Sequence, residues 1–192
     1  MPESTPTRET NESELLLLRE ARRVHTEDMA VLEGTEGWTA LTTAQKAFMV
    51  HALFFREPQA EAHTEAGDWY CHAAVWAVEH EHSPETVRPD LDHIEEAFYD
   101  GEYAQPQSVA QVREQILRAG FPAVVHIAKA PPPLTLLQQH TFLALGQSTE
   151  GDIVVWEKEA EELPYRRTTL SANYAKYTDG TKPLYWGIRR MK

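Results

Sequence analysis

The chain has one cysteine in 192 residues, Cys71. A single thiol excludes an internal disulfide and any cysteine-rich zinc site. Long apolar runs are also missing. No stretch approaches the ~18 consecutive apolar residues of a membrane-spanning helix, and the N-terminal "MPESTPTRETNESE" lacks the apolar segment of a secretory leader. Basic residues are scarce: 18 Lys and Arg stand against 30 Asp and Glu, a formal charge of −12. That field repels polyanions, so neither nucleic acid nor an anionic membrane surface is an expected partner. A cationic substrate or basic partner is favoured by the same field, although a high negative charge also serves solubility alone. The cytoplasm is the expected compartment, with signal-less export left open.

Hydrophobic residues make up 42% and charged residues 25%, the balance of a globular chain rather than a disordered one. The length suits one domain with appendages. Residues 1–11 read as a disordered tail and 12–192 as a single domain, of which 12–60 form an N-terminal helical section. From Ser13, "SELLLLREARRVHTEDMAVLEG" predicts helix closed by Gly34 and irregular near His25. Thr42 and Gln45 make a capping-box pair ahead of "TAQKAFMVHALFFRE", a largely buried helix ending before Pro58. A third helix, "WYCHAAVWAVEHEH", has Asp68 as its N-cap and carries Cys71, Val75 and Val78 on one apolar stripe. "DLDHIEEAFYDG" and "SVAQVREQILRAG" follow, the latter with a Ser108/Gln111 box and a Gly120 C-cap.

The texture then turns to strands. "FPAVVHIAKA" is one, and Pro131–Pro133 forces an extended link. "HTFLALG" and "DIVVWEKE" read as a hairpin around "QSTEG", "TTLSANYAKY" as a short helix and "KPLYWGIRR" as a final strand. Helices first and antiparallel strands after predict an α+β fold, a helical N-terminal section packed on a small antiparallel sheet.

Cys71 falls at the third helical position, where unpaired N–H groups and the helix dipole favour the thiolate. A nucleophilic cysteine also needs a base and a group to orient it. His140 heads an apolar strand and is the candidate base. A hairpin turn centred between Ser148 and Thr149 pairs Ala144 with Ile153, Phe142 with Val155 and His140 with Glu157 on one face. Leu143 with Val154 and Thr141 with Trp156 take the other. The register that stacks the apolar pairs therefore brings a carboxylate to the imidazole, and a shift of one residue would break it.

The pieces "DWYCHAAVWAV", "QHTFLALG" and "IVVWEKE" resemble the papain-like cysteine peptidase superfamily, its compact NlpC/P60-type branch in particular. Those enzymes place a cysteine at the start of a core helix, a histidine at the head of a strand and a third polar residue on the adjoining strand. The resemblance covers roughly residues 65–160 and implies a papain-like core over 65–192, with catalytic Cys71, His140 and Glu157. Two departures stand: His72-Ala73-Ala74 follows the cysteine where the family has Ser-Gly or Trp, and the third residue is Glu. No oxyanion-hole side chain is evident, and the backbone N–H groups of Cys71 and His72 could supply part of one. The implied activity is a cysteine-dependent hydrolase or acyltransferase, of cysteine peptidase or amidase type, acting on an amide, peptide or (thio)ester bond. It needs no cofactor. The expected substrate is a peptide or small amide-containing molecule, with an amine-bearing one suited to the charge. The alternative is a non-catalytic binding or adaptor protein on a degenerate version of the fold.

Each signal also has a plainer explanation. Free cysteine is most often a core filler, a strand histidine is often partly buried, and Glu157 could end a strand paired with Lys158 or Arg166. His72, Glu79, His80, Glu81, His82 and His93 could supply four metal ligands, but His80 and His82 point to different helix faces and there is no HExxH, so no metal is expected. Trp69 and Trp156 are candidates to line a substrate cleft, with core packing the commoner role of a tryptophan. "EELPYRR" reads as a polar loop near the site.

Overall fold

The computed structural model describes residues 12–55, 70–81, 103–106, 108–128, 140–158, 165–178 and 184–192. The expected tail, the Asp68 cap, the 90–101 helix and the proline run lie outside them. Within them the protein is a mixture of helices and antiparallel sheet. The expected 13–34 helix is two helices, α1 (Glu12–Val24) and α2 (Thr26–Glu33), broken at His25 and capped by Gly34. A short α3 (Glu36–Ala40) that the sequence pattern does not reveal follows, with the Thr35 side chain accepting from the Trp38 N–H. α4 (Thr43–Val50) starts in the expected reciprocal Thr42–Gln45 box and runs on into one π turn, His51–Phe55. α5 is Tyr70–Glu79.

Six antiparallel strands form one sheet: β1 (Tyr103–Ala104), β2 (Ala123–Ala128), β3 (His140–Gln147), β4 (Ile153–Lys158), β5 (Tyr165–Thr169) and β6 (Tyr185–Arg190), in the spatial order β1-β6-β2-β3-β4-β5. Two further helices, α6 (Val109–Ala119), capped by Ser108 and Gly120, and α7 (Leu170–Tyr177), complete the described elements. "YRR", residues 165–167, is therefore part of a strand rather than a loop.

Helices cover both faces of the sheet. On one face Leu18, Leu32, Phe48, Val75 and Val78 bury against Val124, Leu143, Val154 and Trp156. On the other, Val112 and Ile116 of α6 and Leu170 of α7 bury against Val125, Phe142, Val155 and Trp186. Two covered faces explain why the central strands are apolar at successive positions, since neither side chain direction meets water.

The β3–β4 register differs from the expected one. Gln147 faces Ile153 and Gly146 faces Val154, whereas Leu143 faces Trp156 and Ala144 faces Val155, with a bulge between Ala144 and Gly146. The turn is wider than expected, closed by Ser148 N–H to Asp152 O and Gly151 N–H to Ser148 O. The wider turn and the bulge together slide β4 by two residues relative to the simple hairpin. Two is the sheet period, so every side chain keeps its expected face. The bulge has a cause in α3. A Cβ on Gly37 would lie 2.3 Å from the Leu145 carbonyl oxygen, and one on Gly146 would lie 2.9 Å from the Glu36 nitrogen. Backbone thus lies on backbone there, and Gly146, at φ 152°, takes a conformation that side chains disfavour.

Candidate active site

The helix α5 decides where the thiol goes. Its C-terminal end is fixed by Glu79, which accepts from Arg189 Nη1 and Nη2 at 2.6 and 2.7 Å and from the Lys192 N–H at 2.8 Å. Its apolar stripe, Ala74, Val75 and Val78, is seated on the Leu143 face of the sheet. Cys71, second residue of the helix, is thereby delivered to the head of β3, where His140 begins the strand.

Cys71 and His140 adjoin, and each favours the charged form of the other. His140 Nε2 lies 2.7 Å from Glu157 Oε2. The register places His140 and Glu157 as diagonal neighbours on one face rather than as the directly opposed pair expected. Their contact survives because diagonal side chains on a common face remain within reach for long residues. Glu157 is wholly buried, and its carboxylate is held on all sides. Arg166, opposite it across β4–β5, donates Nε to Oε1 at 2.6 Å, and Asn173 of α7 donates Nδ2 to Oε2 at 2.7 Å. Of the two cations considered for Glu157, Arg166 is the partner. Tyr177, one turn beyond Asn173, stacks on His140 with ring centres 4.9 Å apart and planes at 21°. His72 Nδ1 is 2.9 Å from Cys71 Sγ.

The electrostatics follow from this packing. Burial opposes ionisation of Cys71, but the His72 charge and the His140 hydrogen bond outweigh it and hold the thiol well below its ordinary range. Burial likewise opposes charge on His140, yet its bonds to Cys71 and Glu157 raise it to about 9. Burial would raise Glu157, and its bonds to His140, Arg166 and Asn173 instead lower it. The Tyr177 phenol is pushed up, by burial first and then by the negative charges of Glu157 and Cys71. The three shifts run together, each favouring the charged form: thiolate, imidazolium and carboxylate.

Other candidates lie elsewhere. Trp156 is not at the site. It adjoins Glu157 in a strand and so points to the opposite face, into the core against Phe48 and Tyr165. Trp69 lies outside the described residues, as do His82 and His93. The N–H groups of Cys71 and His72 belong to the first turn of α5. The proposed metal ligands diverge: Glu79 faces Arg189, His80 stacks on Trp76 at 4.3 Å, and His72 faces the sheet. Among the described residues no three His, Cys, Asp or Glu side chains converge as ligands, and no helix is long and apolar enough to cross a membrane. Asn173 and Tyr177 were missed by sequence reasoning. Their i, i+4 spacing in "TTLSANYAKY" does put an amide and a phenol on one helix face, but nothing local ties that face to His140.

Comparison with family models, with curated proteins and with solved structures returns no match.

Proposed function

We propose that the protein is a cysteine-dependent hydrolase or acyltransferase acting on an amide, peptide or (thio)ester bond. Cys71 is the nucleophile, His140 the acid–base group and Glu157 the residue that orients and charges the imidazole. The observation that carries this reading is the buried His140–Glu157 pair, closed by Arg166 and Asn173, beside a buried Cys71 whose ionisation it favours. A carboxylate with three donors is a poor core filler and a good anchor for an imidazolium. The helix–strand–strand origin of the three residues supports a papain-like arrangement of the NlpC/P60 kind.

In the first step the Cys71 thiolate adds to the substrate carbonyl carbon and forms an S–C bond. The tetrahedral adduct collapses with cleavage of the bond to the leaving nitrogen, oxygen or sulfur, which takes the His140 proton. In the second, water or an amine adds to the thioester, His140 recovers a proton from it, and the S–C bond breaks to release Cys71. The formal charge of −12 supports an amine-bearing substrate.

A non-catalytic binding protein on the same frame is the second reading. The observation on its side is the burial of thiol and imidazole, 6% and 5% exposed. Incubation with p-nitrophenyl acetate, followed by intact mass, separates the two. The catalytic reading expects one acetyl group on the wild type, none on Cys71→Ala, and acetylation slowed about a hundredfold or more in His140→Ala. A wild type that stays unacetylated until denaturant is added would leave the binding protein.

A further inference from the structure

We infer that His72 is a second imidazole on the nucleophile, donating its Nδ1–H to the Cys71 sulfur from one face of the sheet while His140 approaches from the other. The inference deepens the acyl-transfer reading and rests on it for the role of Cys71.

The two histidines reach the sulfur along separate routes. His140 shares its face with Phe142 and Val155 and is gripped there by Glu157 and Tyr177. Thr141, the next residue of β3, points to the other face, and its hydroxyl lies 2.6 Å from His126 Nδ1 on the paired strand β2. His126 presents its ring to His72 in an edge-to-face contact, centres 5.1 Å apart and planes at 82°. Tyr103 contacts His126 in the same manner at 5.8 Å and 85°. The Tyr103 ring lies flat over Gly187, whose missing Cβ would stand 2.7 Å from it. Gly187, Tyr103, His126 and Thr141 thus form a stack that fixes the plane of a buried His72 ring, and the fixed ring puts Nδ1 at 2.9 Å from Sγ.

A solvated histidine after the cysteine would need none of this. A sulfur between two N–H donors is oriented in two directions, whereas one donor leaves it free to rotate about χ1. His72 touches the reacting atom and sits outside the carboxylate-anchored series, so it stabilises the thiolate while His140 carries the proton.

The thiolate midpoint reads this directly, through its ultraviolet absorbance and through iodoacetamide alkylation followed by intact mass. Among the described residues, the ionisable groups around the sulfur are His72, His126 and Tyr103 on one face and His140, Glu157, Arg166 and Tyr177 on the other. His72→Phe keeps the aromatic contact with His126 and removes the N–H. His72→Asn restores a donor near the position of Nδ1. His72→Phe is expected to raise the midpoint by about one pH unit, and His72→Asn to recover most of that. Alkylation below the midpoint slows only about threefold in His72→Phe, because the more basic thiolate is the better nucleophile. His140→Ala, with His72 in place, is expected to keep a midpoint below the ordinary cysteine value of 9.0. A wild-type midpoint in His72→Phe, or an ordinary midpoint in His140→Ala alone, would overturn the inference even with acetylation of Cys71 intact. The His140→Ala arm decides the matter should His72→Phe not fold. An ordinary midpoint in the wild type would instead sink the acyl-transfer reading itself.

Discussion

Replacing Glu157 by Gln removes one negative charge from the site while keeping its shape, and the consequence for His140 can be worked from the structure. A pKa carried from 6.5 to about 9 amounts to roughly 3 kcal/mol of preference for the imidazolium. Cys71 and Glu157 share that preference. A charge-assisted hydrogen bond contributes about 1.5–3 kcal/mol, so the part belonging to Glu157 is about half. Glu157→Gln should therefore lower the His140 midpoint by about one pH unit or slightly more. The assay is the titration of the His140 ring-proton NMR signal, assigned by its loss in His140→Ala. The sign for stability follows from the same shift. A histidine with a raised folded pKa stabilises the protein fully below 6.5 and loses that contribution as pH rises through about 9. The stability gap between wild type and Glu157→Gln should thus stay constant up to the variant's own midpoint, about one unit lower, and narrow from there through about 9. A midpoint that stays near 9 in Glu157→Gln would refute the argument, since the carboxylate would then hold the ring in place without setting its charge.

Two further perturbations test the frame that places the site. Gly37→Ala puts a methyl group against the Leu145 backbone, with no flexible side chain to yield. It should cost about 1–3 kcal/mol or more in a thermal melt, and a melt like that of the wild type would mean that α3 does not lie on β3. Glu79→Gln removes the carboxylate that holds Arg189, 13% exposed, and should cost about 3–5 kcal/mol, lowering Tm by roughly 10 °C. Glu79 is opposed by burial but held below its ordinary range by Arg189 and the Lys192 N–H. Its contribution is therefore complete above 4.5 and lost as pH falls through the lower folded value, so the two melts should converge on acidification. A gap independent of pH would assign the loss to packing alone.

What could be read in the sequence divides by the range of the interaction. Caps are local, and Thr42/Gln45, Ser108 and Gly120 each stand where three or four residues of spacing put them. The break at His25 and the stop at Gly34 are local in the same sense. α3 escaped because five residues are too few to carry a helical period. β5 escaped because Tyr165–Thr169 is an edge strand, bonded to β4 on one side, with an intermediate burial pattern that no alternation announces. The cover of α6 and α7 on the second face is a tertiary fact, and the apolar runs of β2 and β4 hinted at it without naming the covering helices.

The hairpin shows why a wrong register could still assemble the right residues. Simple opposition placed His140 against Glu157, and the structure instead sets them on a diagonal, because a wider turn and a bulge at Gly146 move β4 by two positions. What the alternation of side chains encodes is the face, and the face is unchanged by any even displacement. Apolar residues at 142, 144, 153 and 155 all have to reach the α6–α7 core. Any register that satisfies them also keeps His140 and Glu157 on that side. The same parity excludes Trp156, which is near the site only in sequence: as the immediate neighbour of Glu157 it must face α4 and Phe48. It likewise separates Thr141 from His140 and so divides the surroundings of Cys71 into two halves. Of one half, the carboxylate-anchored half, His140 and Glu157 were legible because they lie on a single hairpin. The other depends on β1, β2 and β6 meeting at Gly187 and His126, pairs some sixty and eighty residues apart in the chain. No spacing rule reaches that far, and the His72 contact it supports could only be seen with the strands in place.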